Sequence, residues 1–181
     1  MKTRMIMLMT APFLLIACGE KTPTNGAAKV DALTVSLVNN AMEKIGTVTV
    51  ADDGRGAVRL NVKASTIPPG AHGMHFHEKA DCSSADFKSA GGHINPMNMK
   101  HGLKNSEGPD NADMENAVAD SEGNVDLERI NSRVTLSEAT DIPALLDVDG
   151  SALVIHINPD DQITQPIGGA GARIACAEIR R

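Results

Sequence analysis

The sequence predicts an all-β fold, with about eight strands in a single sandwich or flattened barrel that carries two long functional loops. Three observations predict it. Apolar and polar residues alternate wherever the chain shows any period, no long helical stripe competes with that alternation, and two stretches rich in Gly, Asn, Pro and Asp separate the strands.

The chain opens with Lys2 and Arg4, runs through an apolar stretch from Met5 to Ile16, and reaches Cys18 by way of Ala17. An apolar core this short, behind two cations and before a small residue, reads as an export signal and not as a membrane span. Leu15-Ile16-Ala17-Cys18 also resembles a bacterial lipobox, which implies cleavage before Cys18, a diacylglycerol on its sulfur, and contact with the membrane only through that lipid anchor. Residues 1–17 are thus expected to be a lipoprotein signal peptide, residues 18–30 a flexible tether, and residues 31–181 one folded domain on the periplasmic side of the cell envelope. Gly19, where no Asp follows the cysteine, fits sorting to an outer membrane.

Within the domain, Leu33, Val35 and Leu37 predict a first half-buried strand, Val48 and Val50 a second, Val58, Leu60 and Val62 a third, and Val125 and Leu127 a later one. Asp53-Gly54, with Gly56 close behind, marks a hairpin between the second and third, because these residues tolerate positive φ. The unbroken apolar run Ala152-Leu153-Val154-Ile155 is that of a strand covered on both faces, and residues 173–179 read as the last strand. No convincing strand falls between His77 and Val125. A loop that long inside a compact domain is usually functional, and metal and disulfide are expected to order it in place of a hydrophobic core. Residues 158–171 form a second, shorter loop rich in Gly, Pro and Asp.

The formal charge is −6, becoming −8 once Lys2 and Arg4 are removed, so no nucleic-acid surface is expected. If Cys18 takes the lipid, Cys82 and Cys176 remain as an even pair in an oxidising compartment, and a disulfide between them follows. Such a bond would constrain the unfolded chain by about 4–5 kcal/mol in the loop-entropy account. With no Trp or Tyr and only three Phe, an aromatic interface anchor is not expected, which leaves monomer and homodimer both open.

The histidines carry the chemistry. Five of the six, His75, His77, His93, His101 and His156, can be placed around two adjacent metal ions by spacing. His75 and His77 share one face of a strand, with Met74 and Phe76 on the other, so two imidazoles converge on one point. A cluster of imidazoles suits copper(II), which makes copper the first metal to consider. His72 has the parity of Met74 and Phe76 and is expected to hydrogen-bond within the structure instead of binding metal.

Four motifs then resemble one family. Gly70-Ala71-His72-Gly73-Met74-His75-Phe76-His77-Glu78, with Cys82 after it, is similar to the copper-binding strand and disulfide cysteine of bacterial, exported copper,zinc superoxide dismutases. Gly91-Gly92-His93-Ile94-Asn95-Pro96 followed by His101-Gly102 resembles that family's bridging and zinc segment. The run from Ala152 to His156, followed by Asp160-Asp161, resembles its last copper ligand, and Gly169-Ala170-Gly171-Ala172-Arg173-Ile174-Ala175-Cys176 its closing signature.

The resemblance implies an eight-stranded Greek-key sandwich or flattened barrel that turns superoxide into dioxygen and hydrogen peroxide by copper redox cycling. It implies copper on His75, His77, His93 and His156, and zinc on His93, His101, Asp113 and the position of Asp110. It further implies a bridging His93 that carries a proton, an Asp160 that links a copper histidine to a zinc histidine, and an Arg173 that draws in the superoxide anion. Asp110 stands where the family has a histidine, and Ala112 where it has a glycine. A carboxylate is an acceptable zinc ligand, but the extra negative charge and shorter side chain open an alternative: a copper-binding or copper-buffering envelope lipoprotein of the same fold with an altered or empty zinc site. Met97 and Met99 flank the metal loop. Thioethers bind copper(I), so a copper-loading role stands beside the commoner one of surface or packing methionines.

Overall fold

The structure, a computed structural model, describes residues 32–137 and 141–181, so the expected signal peptide, Cys18 and the tether lie outside the described residues. Among the described residues nine strands appear, in the order β1 (Ala32–Asn39), β2 (Lys44–Asp52), β3 (Val58–Ala64), β4 (Gly70–His72), β5 (Met74–His77), β6 (Ala117–Ala119), β7 (Val125–Asn131), β8 (Ser151–His156) and β9 (Arg173–Ile179). Seven of them form one antiparallel sheet in the order β5-β8-β9-β1-β2-β3-β7, while β4 pairs with β6.

The count of nine against about eight has a local cause at Gly73. A Cβ at this position would lie 2.7 Å from the Cβ of Ala170, so only glycine lets the two segments meet. Gly73 N donates to Asn158 O and Gly73 O accepts from His156 N, which takes this residue out of both ladders and splits one strand into β4 and β5. The first half pairs with β6 and the second with β8, and β6 returns to β7 through the turn at Asp120. The sheet thereby curls back on itself, and with β4 and β5 counted as halves of one strand the flattened eight-stranded barrel is recovered.

Alternation places the core. Leu37, Val48, Val50, Val58, Leu60 and Val62 are fully buried, while Arg59–Glu128 (2.7 Å) and Lys63–Asp126 (2.6 Å) pair on the exposed face. The β2–β3 hairpin turns through Gly54 and Gly56 at φ 79° and 88°, with Asp53 Oδ1 accepting from Arg55 N and Ala57 N.

Two expectations for the long loop need correction. It contains β6, whose three residues are too few to show a period. It also rests on a small core of its own, in which Phe87 and Ala90 pack with Ala152, Val154, Cys82 and Cys176. Strand β8 is covered on both faces for this reason: Leu153 and Ile155 enter the main core, and Ala152 and Val154 lie under the loop. Cys82 and Cys176 are joined as expected, with Cα atoms 5.9 Å apart.

Candidate metal centre

β5 ends with His75 and His77, β8 ends with His156, and the long loop returns His93 to β5 through a bridge between His77 and His93. Ring centroids of His75 lie 4.3 Å from His93 and 5.2 Å from His156, and those of His77 and His93 are 5.2 Å apart. His75, His77 and His93 therefore gather around one point, with the His156 ring beside them. His75, His77 and His93 can offer nitrogens within 4.8 Å of one another, as can His93, His101, Asp110 and Asp113 with one ligand atom each.

Hydrogen bonds decide which nitrogen of each ring faces inward. His75 Nε2 donates to Asp160 Oδ2 (2.8 Å), His77 Nδ1 to Gly91 O (3.0 Å) and His156 Nδ1 to Gly171 O (2.9 Å). In a neutral ring the opposite nitrogen then carries a bare lone pair. Those opposite atoms, His75 Nδ1, His77 Nε2 and His156 Nε2, are buried without a partner, and so is His93 Nε2. Burial holds His75 and His77 below the ordinary imidazole range and brings His156 down to about 4, so these rings stay neutral at physiological pH.

A second donor set lies on the far side of His93. His93 Nδ1 is 2.9 Å from Asp110 Oδ2, and Asp113 Oδ1 lies 3.9 Å from the same nitrogen. His101 Nε2 donates to Asp160 Oδ1 (3.0 Å), which turns its Nδ1 toward Asp113 Oδ1 at 2.5 Å; the two atoms make no hydrogen bond in line, so both face one shared point. Asp113 Oδ2 is already occupied, accepting from Gly102 N (2.7 Å) and Asp110 N (2.9 Å). Burial works against a charged His101, but the close Asp113 carboxylate and the bond and charge of Asp160 outweigh it and push the ring up to about 10.

Apart from Arg129 Nε, every unpartnered buried side-chain polar atom among the described residues belongs to these two donor sets. Each such atom costs roughly 1–3 kcal/mol when left unmet. A concentration of them is tolerated where a cation meets them all, and the donor types fit: four imidazoles for copper, and two imidazoles with two carboxylates for zinc.

Asp160 ties the sets together. It accepts from His75 on one oxygen and His101 on the other, and also from Gln162 N (2.6 Å) and Gln162 Nε2 (2.7 Å). Burial alone would raise its carboxyl, but the bonds from His101, His75 and Gln162 hold it far below the usual carboxylate range. Asn116 fixes its backbone from both sides, donating to Asp160 O (2.9 Å) and accepting from Asp160 N (3.0 Å). His72, with its nitrogens 2.8 Å from His156 O and 2.6 Å from Pro68 O, holds the end of β8 in place, as its parity implied.

Arg173 opens β9 beside this cluster, its Nη1 donating to Phe87 O (2.6 Å) and its Nη2 to Gly91 O (2.7 Å). A cavity of about 470 Å³ leads in from solvent, lined by His77, His93, Met99, His101, Asp110 and Arg173. The structure thus brings the predicted metal-ligand residues, Asp160 and Arg173 into one region, while Cys82 and Cys176 pair under the loop. Sequence reasoning missed Gln162, Asn116 and Arg133; Arg133 donates to the backbone oxygens of Asp110 (3.1 Å) and Asp113. Nothing in a lone Asn, Gln or Arg marks such a partner in advance.

A family model for copper/zinc superoxide dismutase matches residues 44–179, which hold every one of these side chains. The chain belongs to the copper/zinc superoxide dismutase family. It is 47% identical over 136 residues to a copper–zinc superoxide dismutase of Caulobacter vibrioides, an alignment covering 75% of this chain and 78% of that one. A superoxide dismutase-like protein from Bacillus subtilis superposes with a TM-score of 0.77 at 34% identity, covering 81% of this chain and 97% of the other. The copper/zinc superoxide dismutase of Brucella abortus gives a TM-score of 0.66 at 25% identity, covering 82% and 99%. Copper and zinc are the cofactors of this family, and the two donor sets provide for both.

Proposed function

We propose that this protein converts superoxide to dioxygen and hydrogen peroxide on the periplasmic side of the cell envelope, tethered there by a lipid on Cys18. The observation that carries the catalytic part is the set of four buried imidazole nitrogens, on His75, His77, His93 and His156, that lie in one cluster of rings without a hydrogen-bond partner. These four would hold copper, and His93, His101, Asp110 and Asp113 would hold zinc. Copper, when bound, supplies one-electron chemistry, accepting an electron from one superoxide and giving it to the next.

The remaining work belongs to the chain. Superoxide is an anion and the protein carries a net charge of −6, so approach needs a local positive field, which the Arg173 guanidinium provides at the cavity wall. His93 is the one ring shared by both donor sets, and its Nε2 is the atom placed to hold the proton that reduced oxygen requires. Asp160 holds Nε2 of both His75 and His101 and so orients each ring with Nδ1 inward. The Cys82–Cys176 bond supports export, because such bonds persist in oxidising compartments.

Metal analysis of the purified protein beside a superoxide-consumption assay tests the reading. Copper bound near one equivalent with rapid superoxide loss is the expected result, and copper bound without turnover overturns it. One observation favours a second reading. Asp110 supplies a carboxylate where a third imidazole would complete the zinc position, which fits a copper-binding or copper-buffering lipoprotein with an altered zinc site; the same pair of measurements separates the two. The location is tested by Cys18→Ser, which should move the protein from the membrane fraction to the soluble one.

A further inference from the structure

We propose that Met97 and Met99 form a copper(I) capture site at the rim of the metal cavity, through which the four-imidazole position is loaded; this rests on the copper reading of that position. The segment that carries them is a fixed turn. Asn95 Oδ1 accepts from Met99 N (2.9 Å), Asn95 Nδ2 donates to Met99 O (2.8 Å), and Asn98 N donates to Asn95 O (3.1 Å), with Asn98 held at φ 52°. Two unbranched thioethers are therefore presented from a bracketed loop, not from a loose strand of chain.

Their placement is graded toward the site. Met97 is 53% exposed and Met99 40%, whereas the His93 side chain is 8% exposed and His77 1%. Met99 lines the same cavity as His77 and His93. Met99 is the methionine on the cavity wall, Met97 stands two residues before it on the same bracketed turn, and the exposed Met42 lines no part of this cavity.

The chemistry adds a reason for methionine in particular. Two metal positions share this cavity and share His93, and imidazole binds copper and zinc alike. Thioether sulfur is a soft ligand that takes copper(I) and leaves zinc, so a sulfur pair at the rim admits the right ion toward the imidazole side. Capture and transfer leave the ion as copper(I) throughout, and no oxidant or reductant is consumed.

The test uses the full chain freed of metal. Under anaerobic conditions, copper(I) supplied from a coloured copper(I) chelator should enter the unaltered protein at least about tenfold faster than the Met97→Leu/Met99→Leu double variant. Copper(II) uptake and the final copper content should be the same in both. X-ray absorption on early samples should show sulfur beside copper in the unaltered protein alone. Leucine nearly matches methionine in volume and both sites are exposed, so the fold does not depend on the change. Equal copper(I) rates, or an equal slowing of copper(II), overturns the capture site while leaving the four-imidazole reading intact. Failure of both proteins to take up copper at all overturns that reading as well.

Discussion

Alanine at position 168 would place a methyl group where Asp160 already stands. A Cβ there lies 1.6 Å from Asp160 Oδ1 and 3.0 Å from His101 Nε2, whereas atoms in ordinary contact sit about 3.5 Å apart. The carboxylate would have to retreat by about 2 Å. It cannot do so while it keeps His75, His101 and both Gln162 donors, since these bonds span only 2.6–3.0 Å. Losing the groups that orient metal ligands typically costs 10- to 100-fold in affinity, or about 1.4–2.7 kcal/mol. Gly168 also sits at φ 60°, where any side chain costs about 1–2 kcal/mol of stability on backbone grounds alone. Gly169→Ala isolates the two effects, because Gly169 has φ 71° but nothing within 4 Å of an added Cβ. Both variants should lose the backbone share of stability in urea unfolding, Gly168→Ala losing more because Asp160 gives up buried hydrogen bonds, while only Gly168→Ala should lose zinc and copper affinity in competition against a chromophoric chelator. Affinities that agree between the two variants within about twofold would refute the reasoning.

Arg173→Ala should retain copper but lose most of its superoxide-consumption rate and the dependence of that rate on salt; unchanged turnover at low ionic strength contradicts a steering role. Reducing the Cys82–Cys176 bond, separated by 94 residues, should lower the stability of the metal-free protein by about 4–5 kcal/mol, read as a shift in its urea midpoint. The metal-free protein should also lose stability as pH falls from 6.5 toward 4. There the unfolded chain takes up protons that buried His75, His77 and His156 refuse, so the native state binds fewer and stability rises with pH; His156 alone, brought down to about 4, contributes about 2 kcal/mol across that window. His101 has the opposite sign but acts only above 6.5, being pushed up to about 10. A midpoint independent of pH between 6.5 and 4 would contradict this. Asp110→His should tighten zinc by at least about tenfold in the same chelator competition, since it exchanges a carboxylate for a third imidazole at a position already 2.9 Å from His93.

Where a strand exposes one face and buries the other, the alternation could be read directly, as at Leu33, Val35 and Leu37 or Val58, Leu60 and Val62. The run from Ala152 to Ile155 was legible for the opposite reason, since a strand covered twice needs no polar face. Strand β6 was not legible, because Ala117, Val118 and Ala119 hold their place by pairing with β4 and carry too short a pattern to show it. Phe87 was passed over as part of a polar loop, although it is fully buried; its partners Val154 and Cys176 lie far off in sequence. Of the site, the ligands were legible because their chemistry confines them to His and Asp in a fixed order. Asn116, Gln162 and Arg133 were not, since their roles exist only through distances that folding creates.

The oxygen of Gly91 accepts from His77 on one side and from Arg173 on the other. Side chains from two different strands, β5 and β9, therefore share one backbone acceptor on the loop, with Arg173 held a second time at Phe87 O. One carbonyl thus ties guanidinium and imidazole to each other at the wall of the cavity. Precision in this doorway comes from a shared hinge post, which asks less of the fold than making every wall rigid.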